Sequence, residues 1–364
     1  MSRFTLPDQP LVSVLTTCRN SRVFIERCIE SVLGQDYPNV EYIVQDGASD
    51  DGTLDILKRY SGRIDWVSEP DEGQADGLNR ALQRCRGDII AVLNSDDEYY
   101  PHALSWAVEQ MRRHPDMAVI YGQTDNVDAQ GKLITRSEGP DPYWYDRIFC
   151  CEDVIPAQAA FVRRECLQLA GYYVDATLQT CPDFEWWVRI GLDFKMKYVP
   201  GVVARYRWHP GSEGLRDDVI YKAVDTKTEI IERVCWDPTT PKWVRNLERR
   251  AKGGILYWSA FHFVPPIQHG KEHLAVAQRQ KGTELYGYPS SYFKANEMLT
   301  GIRIFGFAKY LRAIWQHYQI FYVIGVSIRV FRENVRRVDR EMTGGRVYKF
   351  LYLPLKGILK CFRS

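Results

Sequence analysis

The sequence lacks features that would assign it to several classes of protein. No uncharged apolar run approaches the ~18 residues of a membrane-spanning helix. The longest candidate, Ile314–Ile328, is interrupted by polar residues at 316, 317 and 319. The first ten residues contain two prolines and no apolar core, so we expect no signal peptide. The nine cysteines are odd in number and include no C-x-x-C pair, which disfavours zinc or redox chemistry and favours free thiols in a reducing cytoplasm.

Net charge is also small, but it is unevenly distributed. The formal charge of +2 is the sum of a basic tail and an acidic body. Residues 299–364 contain 13 Lys and Arg against 3 Asp and Glu, a net of +10, so the rest of the chain carries a net of −8. With 45% hydrophobic and 26% charged residues, the composition excludes disorder and collagen-like repeats. The length of 364 residues predicts about two domains.

The first half of the chain alternates short β-branched runs with helical patterns, which is typical of βαβ units and a mostly parallel sheet. Strands are predicted at Val12–Thr17, Val40–Val44, Ile64–Val67, Ile89–Leu93, Met117–Tyr121 and Tyr198–Tyr206. Helices are predicted between Ser21 and Gly34 and at Thr53–Tyr60, Gln74–Cys85, His102–Arg113 and Pro182–Leu192. Residues 122–180 show less regularity. Long, aromatic-rich helical patterns begin near residue 215, which predicts a first domain at 1–215 and a helical region at 216–364.

Polar residues stand at three predicted strand ends: Thr16 and Thr17, Asp46, and the Asn94–Asp97 segment. Open α/β sheets bind ligands beyond the carboxyl ends of their strands, so this coincidence is the first indication of a functional site. Adjacent carboxylates such as Asp96 and Asp97 repel one another unless a cation or a helix N-terminus offsets them. Mg²⁺ or Mn²⁺ would suit such oxygen ligands. The alternatives are an Asp-Gly turn after Asp46 and a helix cap after Asp97.

Four segments in order carry a family resemblance: Thr16–Asn20, Asp46–Thr53, Asp71–Asn79 and Asn94–Asp97. Together they resemble family 2 inverting glycosyltransferases of the GT-A fold, over roughly residues 10–212. The resemblance implies an α/β fold with a Rossmann-like mixed sheet, followed here by a C-terminal, mainly helical region. It also implies a nucleotide-sugar donor, with a UDP-sugar preferred.

The resemblance assigns roles to individual residues. Thr16, Thr17, Asn20 and Asp46 would hold the nucleoside. Asp76 and Asn79 would border the donor sugar, unless they only form a solvated helix face. Asn94 stands where the family's D-x-D motif has its first Asp, and Asp96, Asp97 and His209 would hold Mn²⁺ or Mg²⁺. Gln158 would contact sugar hydroxyls on the acceptor side.

A catalytic base is expected at the start of the helix predicted from Pro182. An acceptor hydroxyl becomes a good nucleophile when a carboxylate removes its proton as it attacks. Asp183 is the expected base, by resemblance to the family's acidic motif at this point, and Glu185 points elsewhere on a helix. The alternative is that Thr180 and Asp183 form a capping box.

The basic tail between Ile302 and Lys360 interleaves cations with aromatic and aliphatic residues at helical spacing. Basic amphipathic helices of this kind suit an anionic membrane surface. The alternatives are packing on the catalytic domain or a homodimer interface. Nucleic acid is not expected as a partner, since no recognition motif accompanies the charge.

The sequence as a whole predicts an inverting, non-processive glycosyltransferase. We expect it in the cytoplasm, peripheral on the inner face of the plasma membrane, acting on a glycan or lipid-linked acceptor in cell-surface glycan biosynthesis. A processive synthase is disfavoured because neither spanning helices nor a Q-x-x-R-W segment is found. The alternative function is a catalytically silent nucleotide-sugar-binding or scaffold protein, which Asn94 makes conceivable.

Overall fold

The computed structural model describes residues 4–137, 145–151, 154–178 and 180–262, with 274, 277–278 and 281–282. The strands of this part are β1 Val12–Cys18, β2 Val40–Asp46, β3 Asp65–Ser68, β4 Ile89–Val92, β5 Glu98–Tyr99, β6 Val119–Asp128, β7 Leu133–Arg136, β8 Ala160–Arg163 and β9 Met196–Trp208. The α-helices are α1 Ile25–Leu33, α2 Thr53–Arg59, α3 Gln74–Arg84, α4 Ala103–Arg113, α5 Tyr145–Phe149, α6 Arg164–Ala170, α7 Pro182–Asp193, α8 Asp217–Trp236, α9 Lys242–Arg245 and α10 Glu248–Phe261.

The nine strands of the described residues form one mixed sheet in the order β3-β2-β1-β4-β8-β6-β9-β5, with β7 paired to β6. Strands β1 to β4 are mutually parallel where they pair. In this parallel half Cys18 lies opposite Asp46, and Asp46 lies opposite Ser68. The polar strand ends therefore meet at one edge of the sheet, and the predicted α/β fold is confirmed.

The strand that joins the two halves of the sheet, β8, comes from the segment 122–180, in which the sequence pattern was irregular. Strand β8 pairs antiparallel with both β4 and β6, and so joins the two parts of the sheet. Its four residues are all buried, so it shows no alternation of polar and apolar residues. A strand this short and uniformly buried gives no period from which it could be predicted.

The longest strand, β9, runs parallel to β6 from the core to the site. The pairing is irregular between Tyr121 and Thr124. Glycines permit the close approach there, because a Cβ atom on Gly122 would lie 2.7 Å from the carbonyl oxygen of Gly201. A Cβ atom on Gly201 would in turn meet the Trp106 indole at 2.6 Å.

Helices α8 to α10 follow the sheet and share an apolar cluster with α5 and α7. Contacts group residues 1–279 into one compact unit and residues 280–364 into a second. The sequence-based boundary at residue 215 falls inside the first unit. Among the described residues, no helix combines the length and apolar character needed to cross a bilayer. The basic segment 299–364 lies outside the described residues.

Candidate active site

Asp46 lies at the end of β2 with its carboxylate fully buried. Its oxygens accept hydrogen bonds from the Ser49 N–H at 2.9 Å and the Ser68 hydroxyl at 2.7 Å, and also from the Ser49 hydroxyl. The carboxylate therefore closes the 46–53 loop onto β3. Because protein donors already surround both of its oxygens, Asp46 holds the loop after β2 in place, and its expected contact with a nucleoside stays a prediction.

Thr16 and Thr17 have separate roles because successive side chains of a strand face opposite sides. Thr16 is buried and donates to the Leu93 carbonyl at 2.8 Å, with the Tyr42 hydroxyl at 3.1 Å. Thr17 is partly exposed and lies beside Gly77, where an added Cβ would meet its methyl group at 3.4 Å. Of the two predicted threonines, Thr17 is the one placed to meet a ligand.

Asn20 joins the loop after β1 to the loop after β2. It has a positive φ of 52°, a conformation that asparagine tolerates better than most residues. Its side-chain oxygen accepts the Asp50 N–H at 3.0 Å, and its own N–H donates to the Ser49 hydroxyl at 2.7 Å. Asn20 thus shapes this edge of the site through the backbone of two loops.

Asp71, which the sequence analysis left without a role, presents a carboxylate at the same edge. One oxygen accepts the Gly73 N–H at 3.1 Å. The other would lie 2.7 Å from a Cβ atom on Gly47 and 3.1 Å from one on Gly77. Two glycines therefore leave room for this partly exposed group. The signal was present in the Asp71–Asn79 segment, but its spacing did not single out the first residue.

The two predicted sugar contacts on α3 are held by the protein. Asp76 pairs with Arg80 at 2.8 Å, and hydrogen bonds from Arg80 and then the Glu72 N–H hold the Asp76 pKa below its usual range. The Asn79 amide forms a two-way clamp with Val174, donating to its carbonyl and accepting its N–H, each at 2.9 Å. Asn79 therefore differs from the prediction: its amide ties α3 to the segment before α7.

The acidic turn after β4 separates its two aspartates. Asp97 is fully buried; its Oδ1 accepts the Arg207 N–H at 2.8 Å, and its Oδ2 accepts from the Asn94 amide at 3.4 Å. Burial, followed by the charge of Asp96, raises the pKa of Asp97 well above its ordinary value. Each oxygen thus has a protein donor, and the role of metal ligand stays a prediction for Asp97. Asp96 has a side chain that is 25% exposed.

His209 meets Asp96 across the site, with 3.1 Å between Nε2 and Oδ2. The Gly211 N–H donates to Nδ1 at 3.1 Å, and the Phe24 ring lies 4.6 Å from the imidazole. Because Nδ1 is an acceptor, the neutral ring carries its hydrogen on Nε2, facing Asp96. Ligation of a metal through Nε2 would require that hydrogen to leave and the Gly211 contact to break.

A divalent cation would find one free carboxylate and one imidazole here. Within the described ranges, no group of three or more His, Cys, Asp and Glu side chains is arranged to hold a metal ion. Mg²⁺ and Mn²⁺ are commonly held by one or two carboxylates together with substrate phosphates. These residues therefore fit a divalent cation that is bound by Asp96 and takes its remaining ligands from the phosphates of a substrate.

Arg207 supports the turn from beneath, and sequence reasoning did not identify it. Its side chain is 1% exposed and forms an ion pair with Glu98. Its guanidinium also donates to the carbonyl oxygens of Asp96 at 3.0 Å and Asp128 at 3.1 Å. A charged residue inside the apolar run of β9 was the available signal, since buried arginine needs partners.

Two acidic residues stand at the start of α7. Glu185 is paired within the protein, whereas Asp183 is partly exposed. Arg189 binds both oxygens of Glu185, at 2.6 and 2.9 Å. Asp183 is partly exposed, and its Oδ1 accepts the Phe184 N–H at 2.8 Å. Thr180 bonds the Thr226 hydroxyl at 3.1 Å, and no side chain caps α7, so the alternative capping box is not formed. Asp183 is the carboxylate that remains available.

Tyr206 of β9 is influenced by acidic residues from two parts of the chain. The pKa of its phenol is raised, first by burial and then by the charges of Asp97, Asp96 and Asp183. The negative charges of the acidic turn and of the start of α7 therefore both act on one side chain of β9. Gln158, in the turn 157–159 before β8, is 5% exposed, and among the described residues its amide forms no hydrogen bond with the protein.

Comparisons with known proteins bear on this arrangement. A family model described as glycosyl transferase family 2 matches residues 13–163. The chondroitin synthase of Escherichia coli is 34% identical over 134 residues, which cover 36% of this chain and 20% of that protein. The putative teichuronic acid biosynthesis glycosyltransferase TuaG of Bacillus subtilis is 42% identical over 107 residues, which cover 28% of this chain and 42% of that protein. The chain thus spans less than half the length of these two curated relatives.

One solved structure shows the same fold over most of both chains. The mannosyltransferase PcManGT of Pyrobaculum calidifontis, solved with GDP-Man and Mn²⁺, has a TM-score of 0.53 and 16% sequence identity. The match covers 89% of each chain. At this identity the likeness establishes the GT-A fold alone.

Proposed function

We propose that the chain, whose residues 13–163 match the family model described as glycosyl transferase family 2, transfers a sugar from a nucleotide-sugar donor to a hydroxyl of a glycan or lipid-linked acceptor. The observation that carries this proposal is a pair of partly exposed carboxylates: Asp96, in contact with His209 after β4, and Asp183 at the start of α7. The names of the two curated relatives point to polysaccharide biosynthesis. We propose a UDP-sugar as the donor and a single, non-processive transfer.

The donor would lie across the carboxyl edge of β1 to β4. Thr17 and Asp71 are the polar groups placed to meet the nucleoside, over loops held by Asn20 and Asp46. Asp76 remains 22% exposed at the start of α3 and borders the donor sugar in this proposal. Asn94 lies beside the same region, where its side-chain oxygen accepts a hydrogen bond from the Gln74 amide.

In the proposed reaction Asp183 accepts the proton of the acceptor hydroxyl. The acceptor oxygen forms a bond to the anomeric carbon as the bond from that carbon to the diphosphate oxygen breaks. The electron pair of that bond leaves with the diphosphate, and the displacement inverts the anomeric centre. The free amide of Gln158 would orient a sugar hydroxyl on the acceptor side.

Asp96 would hold Mn²⁺ or Mg²⁺, with His209 beside it. Such an ion, when bound, neutralises charge on the diphosphate leaving group. The His209 Nε2–H is a hydrogen-bond donor at the same place, and its bond to Asp96 fixes the direction of that carboxylate. Arg207 and Asp97 keep the turn in position from below.

The test is a turnover assay with a panel of UDP-GlcNAc, UDP-GalNAc, UDP-glucuronate and GDP-Man, each with Mn²⁺ and with EDTA. Asp183→Asn should lower kcat about a thousandfold with little change in donor affinity. Glu185→Gln is the matched control, two residues along the same helix, and it should keep kcat within about tenfold. Asp183→Asn with near wild-type transfer would refute the assignment of the base.

A nucleotide-sugar-binding scaffold is the second candidate, favoured by Asn94 in place of an acidic residue. Binding of UDP-sugars without turnover, across the donor panel and with glycan and lipid-linked acceptors, would support it. A single donor and acceptor pair that yields product would exclude it.

We further propose a location in the cytoplasm at the inner face of the plasma membrane. The eight cysteines of the described residues form no disulfide, which is consistent with a reducing compartment. The basic segment 299–364 would contact anionic lipid. Full-length protein should pellet with vesicles of phosphatidylglycerol but not with vesicles of phosphatidylcholine. If it pellets with neither, the segment is better assigned to packing or to a homodimer interface, which its sedimentation behaviour would show.

A further inference from the structure

Two tryptophans on either side of one short turn are largely exposed to water. Trp236 ends α8 and is 68% exposed, and Trp243 of α9 is 55% exposed. No other tryptophan in the described ranges is classed as exposed. An indole has a large apolar ring and one polar N–H group, so it suits a boundary that is apolar on one side and wet on the other.

The turn between the two tryptophans has a defined shape. Pro238 stops α8, because proline cannot continue a helix. The Asp237 carboxylate accepts the Thr239 N–H at 2.8 Å and the Thr239 hydroxyl at 2.7 Å, and the Asp237 carbonyl accepts the Thr240 N–H at 3.1 Å. Pro241 then precedes α9. These bonds and the two prolines hold the backbone on both sides of the turn in one arrangement.

Helix α9 buries one residue and exposes the residues around it. Val244 is fully buried in the apolar cluster that α8 and α10 share with α5 and α7. Successive residues of a helix are rotated by about 100°, so burial of Val244 directs its neighbours outwards. Lys242, Trp243 and Arg245 are all exposed. We call Trp236, Lys242, Trp243 and Arg245 the α8–α9 surface.

The two cations of the α8–α9 surface are not neutralised by the part of the chain that the structure describes. Neither Lys242 nor Arg245 lies within ion-pair distance of a described carboxylate. Arg233, on the last turn of α8, is different, because it pairs with Asp175 and, at 2.5 Å, with Glu229. The α8–α9 surface therefore combines exposed apolar rings with positive charge that is available to an anionic partner.

The α8–α9 surface is connected to the helix that begins with the proposed base. The Trp243 ring meets the Tyr145 ring edge-on, with 5.9 Å between their centres. The Tyr145 hydroxyl in turn donates to the Val188 carbonyl of α7 at 3.1 Å. A partner bound at this surface therefore contacts the same compact unit as the candidate active site.

We propose that the α8–α9 surface is a second lipid-contact site, separate from the basic segment 299–364. The indoles of Trp236 and Trp243 enter the headgroup region of an anionic leaflet, where tryptophan is enriched, and Lys242 and Arg245 contact its phosphates. An anionic membrane is the occupant that offers an apolar layer and dense negative charge together. This inference rests on the proposed location at the membrane and names the residues of the catalytic unit that meet the lipid.

The test is the binding of full-length protein to vesicles, measured by flotation and by quenching of tryptophan emission with phosphatidylglycerol brominated in its acyl chains. Wild type should bind and be quenched. The double variant Trp236→Ser with Trp243→Ser should bind about tenfold more weakly and lose most of the quenching, because less apolar area enters the leaflet. Lys242→Gln with Arg245→Gln should also bind about tenfold more weakly, because each cation is attracted to the anionic surface.

The matched control removes exposed apolar groups elsewhere. Leu169 and Tyr173 are 68% and 48% exposed, and Leu169→Ser with Tyr173→Ser should keep wild-type binding and quenching. Urea denaturation should show similar stability for all the variants, because the side chains are exposed. If the double indole variant is insoluble, Trp236→Ser alone serves, with binding about threefold weaker.

The outcomes separate this inference from the proposals on which it rests. Unchanged binding and quenching in the double indole variant would overturn the inference and leave the membrane location in place. A wild type that does not bind phosphatidylglycerol vesicles removes both. If the indole variant binds vesicles as wild type does but loses a dimer in sedimentation velocity, or loses affinity for an anionic glycan, the surface belongs to that partner and the inference is wrong. No readout needs turnover, so failure of the proposed reaction does not affect the test.

Discussion

The backbone N–H of Arg207 donates to the buried Oδ1 of Asp97 over 2.8 Å, which joins the end of the last strand to the acidic turn after β4. The two residues are separated by 110 positions in the chain. The Arg207 side chain also binds the Asp96 carbonyl and Glu98, so β9 carries the support of the turn and ends directly before the histidine that meets it. The geometry of Asp96 therefore depends on β9 as much as on β4.

Arg207→Met should destabilise the protein and loosen the acidic turn. Removing the buried partner of this ion pair leaves Glu98 with only the exposed Arg205, so we expect the free energy of unfolding to fall by about 3 kcal/mol. Urea denaturation would measure this loss. UDP affinity with Mn²⁺ should fall as well.

Arg205→Met is the matched control, since Arg205 pairs with the other Glu98 oxygen at 3.3 Å but is 42% exposed. An exposed pair contributes little, so its loss should cost less than about 1 kcal/mol. Equal effects of the two substitutions would contradict the supporting role of Arg207.

Asn79→Ala should lower stability and leave donor binding intact. The clamp to Val174 contains two hydrogen bonds, and removing it leaves two backbone groups without their partner, at a cost of about 2 kcal/mol. Asn39→Ala, which removes one exposed hydrogen bond to the Gln9 carbonyl, is the comparison and should cost less. Weaker UDP-sugar binding with unchanged stability would restore Asn79 to the sugar site.

Asp96→Asn should abolish the effect of metal on nucleotide binding. We expect the wild-type protein to bind UDP at least about tenfold more tightly with Mn²⁺ than with EDTA, or about 1.4 kcal/mol. Isothermal titration calorimetry should show equal affinity in both conditions for the variant. Asp36→Asn removes an exposed carboxylate that bonds Ser105, and it should behave as wild type. A full Mn²⁺ effect in Asp96→Asn would place the cation elsewhere.

Acid should destabilise the protein partly through His262. Burial, aided less by the charge of Lys227, lowers the His262 pKa from 6.5 to about 4. The folded state therefore binds fewer protons than the unfolded state between these values, so stability is full above pH 6.5 and is lost as the pH falls towards 4. Between pH 7 and 4.5 the wild type should lose on the order of 2 kcal/mol more than His262→Gln. His102→Gln, at an exposed position, should match wild type throughout; no difference between the three would contradict the prediction.

Sequence patterns predicted the parallel half of the fold well because its signals are local. The predicted strand Val12–Thr17 and helix Gln74–Cys85 each end within one residue of β1 and α3. The antiparallel strand β8 was missed, because pairing with β4 and β6 buries all its residues and removes any period. The strand forms because it pairs with β4 and β6, and a sequence of four residues gives no sign of that pairing.

The site residues were predicted by type, but not by the direction in which they face. Thr16, Asp46, Asn79 and Asp97 have the expected chemistry, yet their polar atoms bond to the protein. A residue list cannot tell a carboxylate that binds a ligand from one that closes a loop, because both roles need the same oxygen atoms.

The irregular pairing of β6 with β9 determines which way the end of β9 faces. Between the pairs Tyr121–Tyr198 and Thr124–Ala204, β9 contains five residues where β6 contains two. Side chains alternate along a strand, so this odd difference in residue number determines towards which side of the sheet the side chains of Arg207 and His209 point. The Val199–Val203 segment thus works as a spacer whose length matters more than its composition. Deleting one residue there should turn both side chains away from the acidic turn at once. Function would then be lost through a change of register, with every side chain of the site unchanged.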